Sequence, residues 1–348
     1  MFITILNEFG IEPNASVKPF GSGLINNTWL ISDQENEFIL QRINQNVFKD
    51  PFDIAINIDL VCDHFKDKHP GYLFPCPRKT ATGDSLAFIK NEGYFRIFSF
   101  IKNSHTVDVV NSPSQAYEAA KQFGRFTNLL SGFPVDKLKI TLPDFHNLPL
   151  RYSQFETAIK EGNKERIKQC AVMISFLKDQ QEIVSISEQV SKIPAFKKRA
   201  THHDSKINNV LFDNNDKGLC VVDLDTVMPG YFISDFGDMM RTYLSPVSEE
   251  EKDLSKIEIR EEYFNAIAEG YLSEMGKELT NVEKSYLVYA GKFMAYMQSL
   301  RFLTDYLNND IYYGSKYEGQ NFIRANNQIC LLKKVVEKEK LLQEMVNI

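Results

Sequence analysis

Three polar residues in two short segments have the types and spacing that metal-assisted phosphoryl transfer requires. Thr201-His-His-Asp-Ser-Lys-Ile-Asn-Asn209 carries Asp204 and, five residues on, Asn209; Asp223 closes the apolar run Leu219-Cys-Val-Val222. Transfer of a phosphoryl group to a hydroxyl needs a carboxylate beside the acceptor oxygen to take its proton as the transition state develops. It also needs oxygen ligands for a hard cation such as magnesium. Asp204, in a segment that reads as a loop, fits the first role. Asn209, through its amide carbonyl, and Asp223 fit the second. Asp225 would point the same way as Asp223 if the strand persisted, so it is a further metal candidate or a turn cap. An Asp followed by an Asn is ordinary in polar surface turns; the apolar strand and later carboxylate turn the pattern into a phosphotransferase signature. Asp235-Phe-Gly-Asp238 lies further on, and its two carboxylates read as helix caps or braces for the loop.

Nucleotide phosphates need backbone amides that can approach closely and a nearby cation. Phe20-Gly-Ser-Gly-Leu-Ile-Asn-Asn-Thr28 is a glycine-bearing turn between strands. Without a Cβ, Gly21 and Gly23 let amides face an anion, and Asn26 and Thr28 complete this group of nucleotide candidates. The same residues would also make an ordinary hairpin. No GxxxxGK[ST] segment occurs, which argues against a Walker-type site. Arg42, on the following strand and on the same face as Leu40, is the candidate cation, able to grip phosphate with a forked donor. The helical stretch after it contains no Glu that could pair with Arg42; Asn57 or Asp59 is left for that role, and the sequence does not choose between them.

The elements that must position these groups follow from periodicity. Thr28–Ile31 and Phe38–Ile43 read as strands. Ser85–Lys90 and Tyr94–Ser99 form a further pair around the turn Asn91-Glu-Gly93. Between the two pairs, Pro51 to His69 reads as a helix with Ile54, Ile58, Val61 and Phe65 on one face. Beyond residue 110 the pattern is mainly helical, with stretches over 112–130, 163–189, 248–276, 281–308 and 320–346. Short strands at Val210–Phe212 and Leu219–Val222 interrupt it around the candidate site. The expected architecture is α+β and bilobal, protein-kinase-like. An N-lobe (residues 1–102) of small sheet and one helix would bind nucleotide, and a larger, mainly helical C-lobe (residues 103–348) would hold the catalytic loop and acceptor.

At 348 residues with 43% apolar and 25% charged residues, the chain is an ordinary globular protein of two-lobe size. A net charge of −6 provides no basic field of the kind nucleic acid needs. No apolar run approaches the ~20 residues of a membrane span, and the apolar start reads as an amphipathic first helix. Five scattered cysteines without CxxC spacing suggest reduced thiols, and the expected location is cytoplasmic. The isolated histidines offer no zinc spacing. A monomer or weak dimer is expected.

Several blocks together resemble the aminoglycoside phosphotransferase and choline kinase superfamily, and within it the N-acetylhexosamine 1-kinases. They are Phe20 to Thr28, Leu40-Gln-Arg-Ile-Asn44, Phe145-His146, Thr201 to Phe212, Asp223-Leu-Asp-Thr-Val-Met-Pro-Gly230, Asp235-Phe-Gly-Asp238 with Arg241, and Leu300-Arg-Phe-Leu-Thr-Asp-Tyr306 with Asp310 and Tyr312. The resemblance implies ATP with Mg2+ and phosphorylation of the anomeric hydroxyl of N-acetylglucosamine or N-acetylgalactosamine. It carries the base onto Asp204 and the metal ligands onto Asn209 and Asp223. The sugar would meet Asp204, Arg301, Asp305 and Tyr306. Choline, homoserine, methylthioribose or an aminoglycoside is the alternative acceptor class, and a catalytically silent binding module is the alternative outside enzymes.

Overall fold

A computed structural model describes residues 2–21, 25–34 and 36–346. Helix α1 (Phe2–Glu8) precedes strands β1 (Ser16–Pro19), β2 (Asn27–Asp33) and β3 (Asn36–Arg42), helix α2 (Pro51–Lys68), and strands β4 (Ala87–Ile89) and β5 (Gly93–Ser99). The five strands make one antiparallel sheet in the order β1-β2-β3-β5-β4. After β6 (Ser104–His105) come α3 (Pro113–Leu129), α4 (Leu148–Glu161), α5 (Lys164–Gln169), α6 (Ala171–Asp179) and α7 (Glu182–Val190). Strands β7 (Arg199–Thr201), β8 (Val210–Asp213), β9 (Gly218–Val221) and β10 (Met228–Gly230) surround the candidate site. Helices α8 (Phe232–Tyr243), α9 (Glu261–Met275), α10 (Asn281–Lys284), α11 (Leu287–Leu307), α12 (Gln320–Glu337) and α13 (Glu339–Val346) complete the chain. The fold is α+β, a small antiparallel sheet and a larger helical part, as the strand and helix periodicities predict.

Side chains alternate across the sheet, and its two faces differ. Ile31, Phe38, Leu40, Phe95 and Ile97 enter one core with Ile5, Leu6 and Phe9 of α1. Residues of the other parity, among them Gln41 and Arg96, which are paired across β3 and β5, look the opposite way. Arg42 shares the parity of Leu40 and lies opposite Phe95, on the α1 side of the sheet.

Helix α2 starts as its sequence dictates, with Asp50 accepting a hydrogen bond from the Phe52 amide and Pro51 in the first turn. Its apolar stripe, Ile54, Ile58, Val61 and Phe65, packs into the large helical core. Asn57, fully buried, donates to the carbonyls of Lys139 and Val227 and accepts from the Lys139 amide. Asp59 pairs with Lys79 at 2.8 Å and accepts from Ser85. Neither is bonded to Arg42.

Several expectations are corrected. Cys62 and Cys76 form a disulfide with Cα atoms 5.8 Å apart, because the chain leaving α2 doubles back along it; Cys170, Cys220 and Cys330 remain thiols. The helical run over 163–189 is three helices, since brief breaks at Cys170 and Gln180 re-aim Leu177, Ile183 and Val190 into one core. Likewise 248–260 is mostly irregular, its Glu249 turned to Arg241 and Arg324 instead of lying along a helix. Helix α4 has no counterpart among the expected elements. Among the described residues no helix is long and apolar enough to cross a membrane.

Candidate active site

The loop between β7 and the 3-10 turn Ile207–Asn209 is fastened from behind by α8. Asp235 accepts from the amides of His202 (3.1 Å) and His203 (2.6 Å), and Asp238 accepts from the Ser205 amide (2.9 Å). Tyr243 donates to the Ser205 carbonyl and Thr226 to that of His202. These bonds hold His203 at a φ of +67°, a conformation a non-glycine residue keeps only when its surroundings over-determine it. Its ring lies against β10, where a Cβ on Gly230 would come within 2.4 Å of the imidazole; only glycine leaves that space. His202 is buried against Phe123 and donates from Nε2 to the Val222 carbonyl. Asp235 and Asp238 are therefore braces, and Arg241 backs Asp238 at 2.9 Å while also reaching Glu249.

Asp204 emerges from this braced loop, half-buried. Its Oδ1 lies 2.9 Å from Lys206 Nζ, and its Oδ2 accepts from Asn209 Nδ2 at 3.0 Å. Burial raises its pKa, but the charge and hydrogen bond of Lys206, with His202 and Asn209, outweigh it and hold the carboxyl below its ordinary range. Asn209 Nδ2 also donates to the Asp204 carbonyl. With its amide nitrogen engaged at Asp204, the Asn209 Oδ1 has no hydrogen-bond partner among the described residues.

Asp223 follows β9 with φ +59°, at the head of the 3-10 turn Leu224–Thr226. Its side chain opens to solvent and, among the described residues, makes no hydrogen bond or ion pair, although protein surrounds it on most sides. That low-dielectric surround, then the charges of Asp225 and Asp204, push its pKa up to about 7. A carboxylate in acidic company that forms no ion pair among the described residues is a site that would take a cation. Among the described residues no three His, Cys, Asp or Glu side chains gather as a complete cage; magnesium characteristically fills its remaining positions with phosphate and water oxygens.

Asp225 is turned elsewhere. It is buried, with Oδ1 2.5 Å from Arg96 Nη1 and Oδ2 accepting from Asn26 Nδ2 at 2.7 Å. Arg96 was not singled out from the sequence, although a charge inside the apolar strand Tyr94-Phe-Arg-Ile-Phe98 is a legible signal. Lys206 was missed as well. Of the expected nucleotide residues, Asn26 is bonded to Asp225 and to the Asn44 amide, and Thr28 accepts from Gln41 at 3.5 Å. Gly21 has φ +76°. Gly23 lies outside the described residues. Arg42 is 40% exposed and meets Glu92 at 3.8 Å, on the sheet face turned toward α1 and away from Asp225.

The expected acceptor residues separate. Arg301 of α11 lies over the rings of Phe145 and Tyr313, and its charge, after burial and His203, helps depress the pKa of His146. His146 Nδ1 is 3.3 Å from His203 Nδ1, so this wall adjoins the catalytic loop. Arg151 lies beside Arg301 and is lowered by burial and then by it. Asp305 and Tyr306 are engaged structurally. Asp305 accepts from the amides of Tyr312 and Tyr313, and Tyr306 donates to Gln169 beneath Arg166.

Residues 16–275 match the profile of the phosphotransferase enzyme family. Among solved structures, the chain is similar to a microcompartment-associated aminopropanol kinase (TM-score 0.65, 16% identity, covering 98% of this chain and 97% of that one). It is similar to an amicoumacin kinase in complex with AMP-PNP and Ca2+ (TM-score 0.64, 14% identity, 96% and 92% covered). A choline kinase from Cryptosporidium parvum also matches (TM-score 0.56, 15% identity, 99% and 97% covered). At these identities the likeness is one of fold.

Proposed function

For a chain that belongs to the phosphotransferase enzyme family, we propose an ATP-dependent kinase acting on the anomeric hydroxyl of an N-acetylhexosamine, N-acetylglucosamine or N-acetylgalactosamine, to give the sugar 1-phosphate. The observation that carries the chemistry is Asp204, clamped between Lys206 and Asn209, with Asp223 open and, among the described residues, in no ion pair. Residues 1–102 would carry the nucleotide and 103–348 the loop and acceptor.

Asn209 Oδ1 and Asp223 would hold Mg2+, which when bound with ATP supplies charge neutralisation at the transferred phosphoryl group. Asp225 is the weaker candidate ligand, because its oxygens face Asn26 and Arg96. Asp204 orients the acceptor hydroxyl. As the sugar oxygen bonds to the γ-phosphorus and the bond to ADP breaks, the hydroxyl proton passes to the Asp204 carboxylate. Lys206 offsets charge on Asp204 and keeps it ionised to receive that proton.

A neutral sugar is favoured over an amino alcohol by the wall beside the loop. Among the described residues Arg151 and Arg301 make no ion pair, and Arg301 lies against Phe145 and Tyr313. Two adjacent arginines repel a cationic acceptor, whereas guanidinium and aromatic faces suit sugar hydroxyls and an acetamido group. Glu249, a carboxylate close to Tyr313 of this wall, is taken by Arg241 and Arg324.

The test is ADP release from ATP and Mg2+ across N-acetylglucosamine, N-acetylgalactosamine, glucose, galactose, choline and kanamycin. Turnover confined to the N-acetylated sugars is the expected result. Turnover on choline or kanamycin instead would retain the kinase and discard the sugar assignment.

A further inference from the structure

The sheet and the catalytic segment are joined by a buried ionic link that none of the roles above requires. Arg96 of β5 and Asp225 are only 3% and 2% exposed at their side chains, and they meet at 2.5 Å. Gln41 of β3, opposite Arg96 in register, accepts from Arg96 Nε (3.0 Å) and Nη2 (2.8 Å), which fixes the guanidinium in one orientation. The second Asp225 oxygen holds Asn26, whose Oδ1 holds the Asn44 amide. Asn26 lies in the glycine-bearing turn, so the bond reaches from the expected phosphate-binding segment to a residue two positions from Asp223. The same 3-10 turn is tied to the catalytic loop through Thr226 and the His202 carbonyl, and to Thr141 through the Asp225 carbonyl.

We propose that the buried Arg96–Asp225 pair is the positioning joint of the nucleotide site: through Asp225 it fixes Asn26, ahead of strand β2, against the segment that carries Asp223. The inference rests on the kinase reading above and gives Asn26 and Asp225 work that needs no contact with nucleotide or metal. A desolvated pair suits the task. Its partners are held at one geometry, and each oxygen of Asp225 fixes a different element. Removing one member would strand a buried charge and destabilise the fold broadly. The informative variants are therefore Asn26→Ala, which removes only the turn's attachment, and the charge-neutral double variant Arg96→Gln/Asp225→Asn.

The measurement is the affinity for ADP with Mg2+ and for adenosine alone, alongside the melting temperature. Asn26→Ala is expected to melt near wild type and to bind ADP with Mg2+ about tenfold more weakly, the scale of a hydrogen bond to a charged group. Its adenosine affinity should not change, because the base does not depend on the turn. The double variant is expected to recover the stability lost in Arg96→Gln alone without recovering ADP affinity. Wild-type ADP affinity in both variants, or parallel loss of adenosine and ADP, would overturn the joint. A wild-type protein that binds no ADP with Mg2+ would overturn the kinase reading itself.

Discussion

Four aspartates within one region of this chain have opposite surroundings. Asp235 and Asp238 sit on α8 with their oxygens filled by loop amides and by Arg241. Asp204 and Asp223 stand on the other side of the same loop. There Asp204 meets the side chains of Lys206 and Asn209, and Asp223 meets no donor among the described residues. Burial raises the pKa of Asp235 and Asp238, partly countered by the bonded groups, whereas Asp204 is lowered and Asp223 is pushed up to about 7. A carboxylate whose acceptor capacity is filled by backbone defines the shape of the loop. A carboxylate left open has lone pairs for a hydroxyl proton or a metal. Amino-acid type is the same in both pairs; the partners differ, loop amides for Asp235 and Asp238, side chains for Asp204 and no described donor for Asp223.

The contrast is broken most directly at Asp204. Asp204→Asn keeps shape and the bond to Asn209 but removes the proton acceptor, and turnover should fall by about 10² to 10⁴ while nucleotide binding stays nearly intact. Turnover near wild type would move the base elsewhere. Asp235→Asn probes the scaffold side. It sets an amide NH2 against the amide of His202 or His203 and leaves a buried donor unpaired, at a cost of about 1–3 kcal/mol, read by denaturant unfolding. Stability and turnover both unchanged would remove Asp235 from the scaffold.

The smallest expected effect is on pH dependence. Asp223 has a folded pKa above that of an unfolded Asp, so its protonated form is favoured by the fold. The stability it contributes is complete below about pH 4 and is lost as the pH rises through about 7. Without metal, the melting temperature should decline across that window, and Asp223→Asn should flatten this part of the decline. Mg2+ with ADP should oppose it, since binding needs the ionised carboxylate. An identical pH profile in Asp223→Asn would show that the group titrates normally.

Much of the site was legible because it is local. Asp204 and Asn209 are five residues apart and joined directly by a hydrogen bond, and the strand leading to Asp223 announces itself by an apolar run. The sheet, α2 and α3 follow from periodicity and capping, with Pro51 and Ser112 marking helix starts. Arg42 shows where such reading stops. Its strand was legible, but a cation two residues from Leu40 shares a face with Leu40, and that face is covered by α1. The alternation itself does not say which side holds the cleft. Arg96 carried a signal, a lone charge in an apolar strand, whose meaning depended on a partner in the other part of the molecule. Asp305 and Tyr306 sat in a helix block whose contacts, Tyr312, Tyr313 and Gln169, come from loops and helices that pattern does not place.

By itself, then, the order of residues determined the fold class, the helix and strand periodicities, and a local grouping of candidate base and metal-ligand residues, because these depend on neighbours within a few turns of chain. Only the tertiary structure decided that Asp225 faces Asn26, 199 residues away, that Arg96 rather than Arg42 meets it, and that Cys62 finds Cys76. Those outcomes are set by how separate elements bury their apolar faces together. That packing fixes which polar groups are left facing one another, and burial then makes each such pairing obligatory.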